Sequence, residues 1–596
     1  MRNNAVAFAN NDVVTIAWSY EAKPKGCMGF ALYRIDSKGT ETALPSHAVF
    51  PGETIKAGQT TEQFPIQKFY WKDVYARLVG DETGNYTFRY KVVPLEGKPG
   101  ALKPMVSLPS LTTEKEVTVS GVCSPSVTAI FNRGIISTQH VSQALKGDIS
   151  KNKLLTMIKD PANQLRKDLA GDITGTLTGF VAQAKKGGSI YAALYELTDV
   201  ELLQALVGIG DKLNIVLANI VAKPAKGGSE EKAGENDSSK TDLKKSHASL
   251  LYRKPPSSHI VHNKFLIYVD AGGVPQAVLT GSCNWTDTGM CAQTNNSIVI
   301  KDKLVAARYM AYWEKLQADE TAYEAGSPFQ DTPLRTFNGT GQNLNLDQGT
   351  GDASTLTSYF SPNTPKQRSK AKGKAEAIPV DMKDLRDRVM KANNAVLFLA
   401  FIPGTPSITE FAAAAQKAKK DLFVRGCVTS PGAAGNFYYD LKGTSPPKKQ
   451  KGVKSPAAPQ DARVISANSL SKTVPKGWQR ELLNAGFAIT HDKIVVIDPF
   501  ADNCVVVTGS HNLGYQASYN NDENLVMIKG NKKLAQAYAT HVLDVYDHFS
   551  WRWAVNQKTS ADANLKTKPD DWLNWYFDAQ GNIKTAQLKF WMQATV

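Results

Sequence analysis

The sequence has little cysteine, little histidine and no long apolar run, and each scarcity excludes something. Six cysteines in 596 residues, none in a CxxC pair, are too few and too scattered for a disulfide framework or a zinc ribbon. No segment reaches the ~18 consecutive apolar residues that would span a bilayer. The best run, Ala395 to Ile402, has the length of a strand. Met1 to Val13 holds two Asn pairs and an Asp and lacks an apolar h-region, so no Sec signal is expected. The expectation is a cytoplasmic protein, or one exported by a route independent of a signal peptide. Hydrophobic residues at 42% and charged residues at 21% exclude a wholly disordered or collagen-like chain.

What is present is a basic excess. Lys and Arg number 70 against 55 Asp and Glu, a formal charge of +15, which suits a polyanionic partner. Much of that charge lies in tracts whose composition cannot supply a core. Ser361 to Glu376 carries +4 and Lys442 to Gln460 carries +5, leaving +6 for the rest. Lys223 to Ser246 is Gly/Ser-rich and nearly balanced. The expected mobile insertions are 223–246 and 442–460, at equivalent places in the two halves described next.

The texture divides the chain. Residues 1–115 read as all-β, with strand-like runs Val13–Trp18, Phe30–Arg34 and Tyr86–Val93 separated by Gly, Pro and Asn. This part loosely resembles a fibronectin-III or immunoglobulin-like sandwich, a packing module or a docking site for a protein partner. From Glu116 strands and helices alternate, which implies parallel sheets covered by helices. The chain also repeats itself. Gly281-Ser282-Cys283-Asn284 returns 228 residues later as Gly509-Ser510-His511-Asn512. At the same offset Asn296 meets Asn524, and Ile298-Val299-Ile300 meets Val526-Met527-Ile528. The expected organisation is a β-sandwich over 1–115, a first α/β half over 116–345 and a second over 346–596. Trp551, Trp553, Trp572, Trp575 and Trp591 are expected to form a Trp-rich cap on the second half.

Two histidine segments carry the chemistry. His262-Asn263-Lys264 opens an apolar run ending at Asp270, and His491-Asp492-Lys493 opens one ending at Asp498. A spacing of two on a strand puts His and Lys on one face. An imidazole beside an ammonium suits a shared anionic ligand: Lys neutralises phosphate oxygens, and His attacks or transfers a proton. The Gly-Ser-x-Asn segments add donors for the same oxygens.

Two HxK…D motifs, each followed by Gly-Ser-x-Asn, resemble the phospholipase D superfamily over roughly Glu116 to Arg552. The second motif has the family spacing. The first has five residues between Lys264 and Asp270, so a bulge or register shift is expected there. The resemblance implies an α/β fold of two halves about a pseudo-two-fold, sharing one site in a monomer, or in a dimer. It implies a phosphohistidine intermediate and neither metal nor cofactor. Its expected catalytic set is His262, Lys264, His491, Lys493, Asn284, Asn512 and Glu523, with His262 as nucleophile and His491 as acid/base by family order. Glu523 falls on the acidic position that orients a histidine, and its first-half counterpart is Asn295. The histidine touching Glu523 is thus expected to be the more basic. Ser282, Ser510 and Asn296 are expected substrate contacts, and Asp270 and Asp498 structural. The motif fixes the reaction and leaves the alcohols open: a nuclease acting on nucleic acid, a phospholipase D acting at an anionic phospholipid surface, or an inert scaffold. His259, His511, His541, His548 and Cys283 are read as packing or rim residues.

Overall fold

The computed structural model describes residues 3–46, 48–54, 56–80, 86–134, 151–219, 234–256, 259–368, 376–447, 458–467, 489–556, 564–577 and 583–594. The N-terminal region is all-β. Asn4–Ala9, Val14–Ser19 and Tyr70–Asp73 make one antiparallel sheet. A second is built on Thr87–Lys98, which pairs with Gly29–Ile35, Ala101–Pro104, Leu111–Thr112 and Val117–Thr118. Buried aromatics join the sheets: Trp18 meets Phe30 edge-on at 5.2 Å, and Tyr20 stacks on Phe30 at 5.8 Å.

The two α/β halves repeat one strand order. The first sheet runs Val127–Phe131, Asn296–Ile300, Pro275–Gly281, Lys264–Val269, Ser189–Leu194, Leu213–Ala218, Ser249–Arg253. The second runs Ser354–Ser361, Asn521–Lys529, Val505–Gly509, Lys493–Ile497, Ala395–Ala400, Phe423–Val428, Val464–Ser466, with Gln342–Leu346 added at the Ser354–Ser361 edge. These sheets are mixed, which corrects the expected parallel arrangement. Only the last three strands of each series run parallel, and each motif strand lies antiparallel to both its neighbours. The cause is the hairpin after each motif: a short turn returns the chain directly, with no crossover helix.

A pseudo-two-fold joins the halves through a matched pair of buried hydrogen bonds. Thr280 Oγ1 donates to Asn524 Oδ1 (2.7 Å), and Asn296 Nδ2 donates to Thr508 Oγ1 (2.8 Å). Long helices follow the last strand of each half, Lys303–Glu324 and Lys532–Asn556. They supply Tyr309 and Tyr538, whose hydroxyls bond the same two asparagines. Arg253 is the charged link. Fully buried, it bonds Asp319 and Glu320 of its own half and Asp522 of the other at 2.7–3.0 Å. Replacing Arg253 by Met leaves three buried carboxylates without their cation. Denaturant unfolding should show a loss of about 3–5 kcal/mol.

Three expectations about the periphery are corrected. The tract 223–246 is ordered in its second part: Asp237–Lys245 is a helix, and buried Asn236 donates to Tyr195 O and Ala218 O while its side-chain oxygen accepts from Leu197 N. Lys442 ends the helix Pro431–Lys442, and residues 220–233 and 448–457 lie outside the described residues. The basic tract from Ser361 begins inside the fold, where Ser361, Asn363 and Thr364 are buried. The tryptophan-rich end does more than cap the second half. Trp572 packs on Phe30 and Phe69, and Trp591 on Phe8, Tyr70 and Phe423, so the C-terminus pins the β-sandwich to the second half. Among the described residues no helix is long and apolar enough to cross a membrane.

Candidate active site

Each motif strand ends at the interface between the halves, and there the histidine of one half docks on the other. Ile260 and Val261 pair in parallel with Asn521 and Asp522, and His262 N donates to Asp522 O (2.9 Å). By the same symmetry Thr490 bridges Thr294, and His491 N donates to Thr294 O (3.2 Å). This crossing brings the residue after each docking strand onto the opposite imidazole. His262 Nδ1 lies 3.3 Å from Glu523 Oε1, and His491 Nδ1 lies 2.9 Å from Asn295 Oδ1.

Hydrogen bonding fixes the His491 tautomer. Asn295 Nδ2 donates to Gly289 O (2.7 Å), so its Oδ1 is the acceptor facing the ring. His491 therefore carries its proton on Nδ1, which leaves the Nε2 lone pair free. At His262 the group facing Nδ1 is instead a carboxylate, Glu523.

Lys264 and Lys493 are buried, and each ammonium donates to the carbonyl of its own histidine, at 2.9 Å and 2.6 Å. An aromatic ring backs each pair. Tyr195 lies 5.0 Å from the His262 ring and Phe401 4.9 Å from that of His491, and each also sits about 5 Å from the neighbouring lysine. Register explains the match: Leu194 pairs with Lys264 and Ala400 with Lys493, so the next residue of each strand falls beside the histidine.

Burial and mutual repulsion set the charges. Burial pushes His262 down to about 4, with Lys264 adding to the effect and Glu523 opposing it. His491 falls well below its ordinary value through burial, Lys493 and Lys264. Burial lowers Lys264 to about 7 against the pull of Glu523 and Glu196, and Lys493 drops well below its ordinary value through burial and Lys264. Burial would raise Glu523, but the positive charge of His262 holds it down at about 2. Four nitrogen bases thus share a dry site with too little negative charge, a place built for an anion.

Glycine is required in both Gly-Ser-x-Asn segments. Gly281 and Gly509 have φ of 150° and 142°, and a Cβ at either would stand 2.3 Å from the carbonyl oxygen of Asn296 or Asn524. The close approach carries Asn284 and Asn512 to the interface. The side-chain Oδ1 of each is buried without a partner among the described residues. Asn284 Nδ2 donates to Glu196 (2.5 Å), while the Asn512 backbone N–H donates to Glu523 Oε2 (3.0 Å).

Ser282, Ser510 and Asn296, expected to touch substrate, are corrected to struts. Ser282 Oγ donates to Asn295 Oδ1, and Ser510 Oγ accepts from the Asn524 backbone N–H. Asn296 bonds Thr508 and Tyr538 across the interface, and all three are fully buried. Asp498 accepts from the backbone N–H groups of Asn393, Asn394 and Ala395, while Asp270 closes its own hairpin through Gly272, Val274 and Gln276. The register shift expected from the longer first motif lies between Tyr268 and Val269. His511 is tied to Ser518 and Asp381 beneath the surface, and His541 bonds Asp492 at 3.0 Å. Sequence reading missed Glu196, Tyr195 and Phe401. Their signal was the shared strand ending, Leu194-Tyr195 against Ala400-Phe401.

A fold of two such halves, with paired His-x-Lys strands meeting at one interface, defines a class, and sequence comparison agrees. The family described as cardiolipin synthase, PLD-like domain, matches residues 178–317 and 448–545, one stretch in each half. The two matched stretches and the paired motifs are consistent with a phospholipase D superfamily assignment, with both repeats in one polypeptide. No curated protein matches it. Among solved structures it is similar to phosphatidylserine synthase of Haemophilus influenzae (11% identity, 64% of this chain, 85% of that one, TM-score 0.39). It is also similar to Nuc, a phospholipase D family member of Salmonella typhimurium (17%, 33%, 95%, 0.21). A third similar structure is polyphosphate kinase of Porphyromonas gingivalis (13%, 62%, TM-score 0.32), of which the match spans 43%.

Proposed function

We propose that the protein is a metal-independent phosphodiesterase working through a phosphohistidine, with nucleic acid as its substrate. The observation that carries the mechanism is the crossed pairing, His262 with Glu523 and His491 with Asn295. In the first step His262 Nε2 attacks phosphorus, the P–O bond to the leaving alcohol breaks, and positive charge develops on the ring. Glu523 at Nδ1 neutralises that charge. The negative charge of bound substrate lets His491 take a second proton from solvent at Nε2, and beside a neutral amide that imidazolium is the stronger acid, which gives its Nε2 proton to the departing oxygen. It then takes a proton from water, which attacks phosphorus and breaks the P–N bond. Lys264, Lys493, Asn284 and Asn512 hold the phosphoryl oxygens through both steps. The two ammonium groups supply the charge a metal would otherwise bring. One chain supplies every group, so a monomer suffices.

Nucleic acid is supported by the +15 charge, which favours sequence-independent, salt-sensitive phosphate contacts. A phospholipid reading has one observation of its own: Ile402 and Ile260, beside Phe401 and His262, are 52% and 39% exposed, an apolar rim for an acyl or glycerol group. Parallel assays on single- and double-stranded DNA, RNA and mixed phospholipid vesicles, in excess chelator, separate the two. Cleavage of nucleic acid that vanishes in His262→Ala is expected, and headgroup release with intact nucleic acid would reverse the assignment.

Glu523→Gln tests the proposed pairing. Losing the carboxylate removes a group that raises the His262 pKa, so the imidazole becomes a weaker nucleophile. We expect kcat to fall about 10²–10⁴-fold. The acid limb of the kcat/KM profile, which reports deprotonation of His262, should move to lower pH.

A further inference from the structure

The site is two-fold in its histidines, lysines, rings and asparagines, but a second position besides Glu523 and Asn295 breaks the symmetry. Glu196 follows Tyr195, and the residue in its place after Phe401 is Ile402. The Glu196 carboxyl accepts from Asn284 Nδ2 (2.5 Å), and its backbone carbonyl accepts from Trp285 N (3.2 Å), which fixes it to the Gly-Ser-x-Asn segment. Lys264 is its main cationic neighbour, and its charge reaches Lys493 as well. Glu235 and Tyr195 are its other ionisable neighbours. Asn284 is more than nine-tenths buried, and its Oδ1 has no partner among the described residues. A buried carboxyl with a second carboxyl for a neighbour does not ionise readily. Burial pushes Glu196 up to about 7, with Lys264 opposing and Glu235 adding to the shift.

We propose that Glu196 is a charge filter on the His262 side of the site. It limits the bound phosphoryl group to one negative charge, admitting a phosphodiester monoanion and disfavouring a phosphate monoester dianion. The proposal rests on the phosphodiesterase reading above and extends it to specificity. Its consequence is directional. Hydrolysis of a diester yields an alcohol and a monoester, and the monoester's second charge meets an ionised Glu196 beside Lys264, which favours its release. Among the described residues the corresponding position on the His491 side is Ile402, which cannot do this. Glu196 acts on charge and position and takes no proton in the reaction.

The test is calorimetric and needs no turnover. Dimethyl phosphate, a monoanion, and methyl phosphate, a dianion above about pH 7, are titrated into the full-length protein and into Glu196→Gln, at about pH 6 and pH 8. In the wild type, preference for the diester should be greater at the higher pH. In Glu196→Gln methyl phosphate should bind about tenfold tighter at the higher pH, with dimethyl phosphate changed less than about twofold. Glu235→Gln, at an exposed position that packing tolerates, removes a group that raises Glu196; if Glu196→Gln fails to fold, this variant should carry the diester preference down to the lower pH. An unchanged ratio in the folded variants would overturn the filter and leave the phosphodiesterase reading standing. Failure of the wild type to bind either ligand would remove both.

Discussion

With a bis(p-nitrophenyl) phosphate substrate, His491→Asn is expected to release one equivalent of p-nitrophenol in a burst and then stall. His262→Asn is expected to release none. The asymmetry follows from the roles proposed here. p-Nitrophenolate leaves without a proton, so attack by His262 proceeds when His491 is absent. The second step needs a base for water, and without it the phosphohistidine accumulates. Steady-state kcat should fall at least about 10⁴-fold in both variants, so turnover alone does not distinguish them. The burst does. A burst in His262→Asn and none in His491→Asn would exchange the two roles.

Lys493→Met is expected to abolish turnover and stabilise the protein. Lys493 is buried beside Lys264, and in the empty site each ammonium disfavours the other. The sign follows from linkage. A lysine whose folded pKa is depressed binds fewer protons folded than unfolded between the two values, so stability rises with pH across that window. For Lys264 the window runs from about 7 to its ordinary value, and the destabilisation is complete below it. Removing the Lys493 charge should contribute on the order of 1–3 kcal/mol at neutral pH. That corresponds to a rise in Tm of about 2–5 °C. Phosphate or tungstate should stabilise the wild type and have no such effect on the variant. A fall in Tm would mean that these cations are already compensated within the empty protein.

Much of the site was legible because its residues are chemically distinctive and occur twice. His262, Lys264, His491 and Lys493 sit at a spacing that only a strand turns into a shared face, and the 228-residue repeat marks the second copy. The inequality of Glu523 and Asn295 was also readable. What no spacing along the chain discloses is which histidine each one serves, because that depends on Ile260–Val261 docking on the strand of the other half. Ser282, Ser510 and Asn296 were misread for a related reason. A polar residue beside a motif looks the same in sequence whether it faces a ligand or a partner strand, and here Thr508 and Tyr538 occupy Asn296. The helix Asp237–Lys245 was hidden by composition: its Ser, Lys and Asp content resembles a linker, while buried Asn236 and Leu243 anchor it. The mixed sheets followed from tight hairpins after each motif, which strand–helix alternation elsewhere obscured.

The central claim is a covalent phosphohistidine formed across the interface of the two halves without a metal. Rapid quench of His491→Asn with ³²P-labelled bis(p-nitrophenyl) phosphate, in excess chelator, followed by alkaline digestion and peptide mapping, tests it most directly. Acid-labile, base-stable label on the peptide containing His262, absent from His262→Asn/His491→Asn, is the result this account predicts. Absence of labelled protein during turnover, or label that requires a divalent cation, would contradict it.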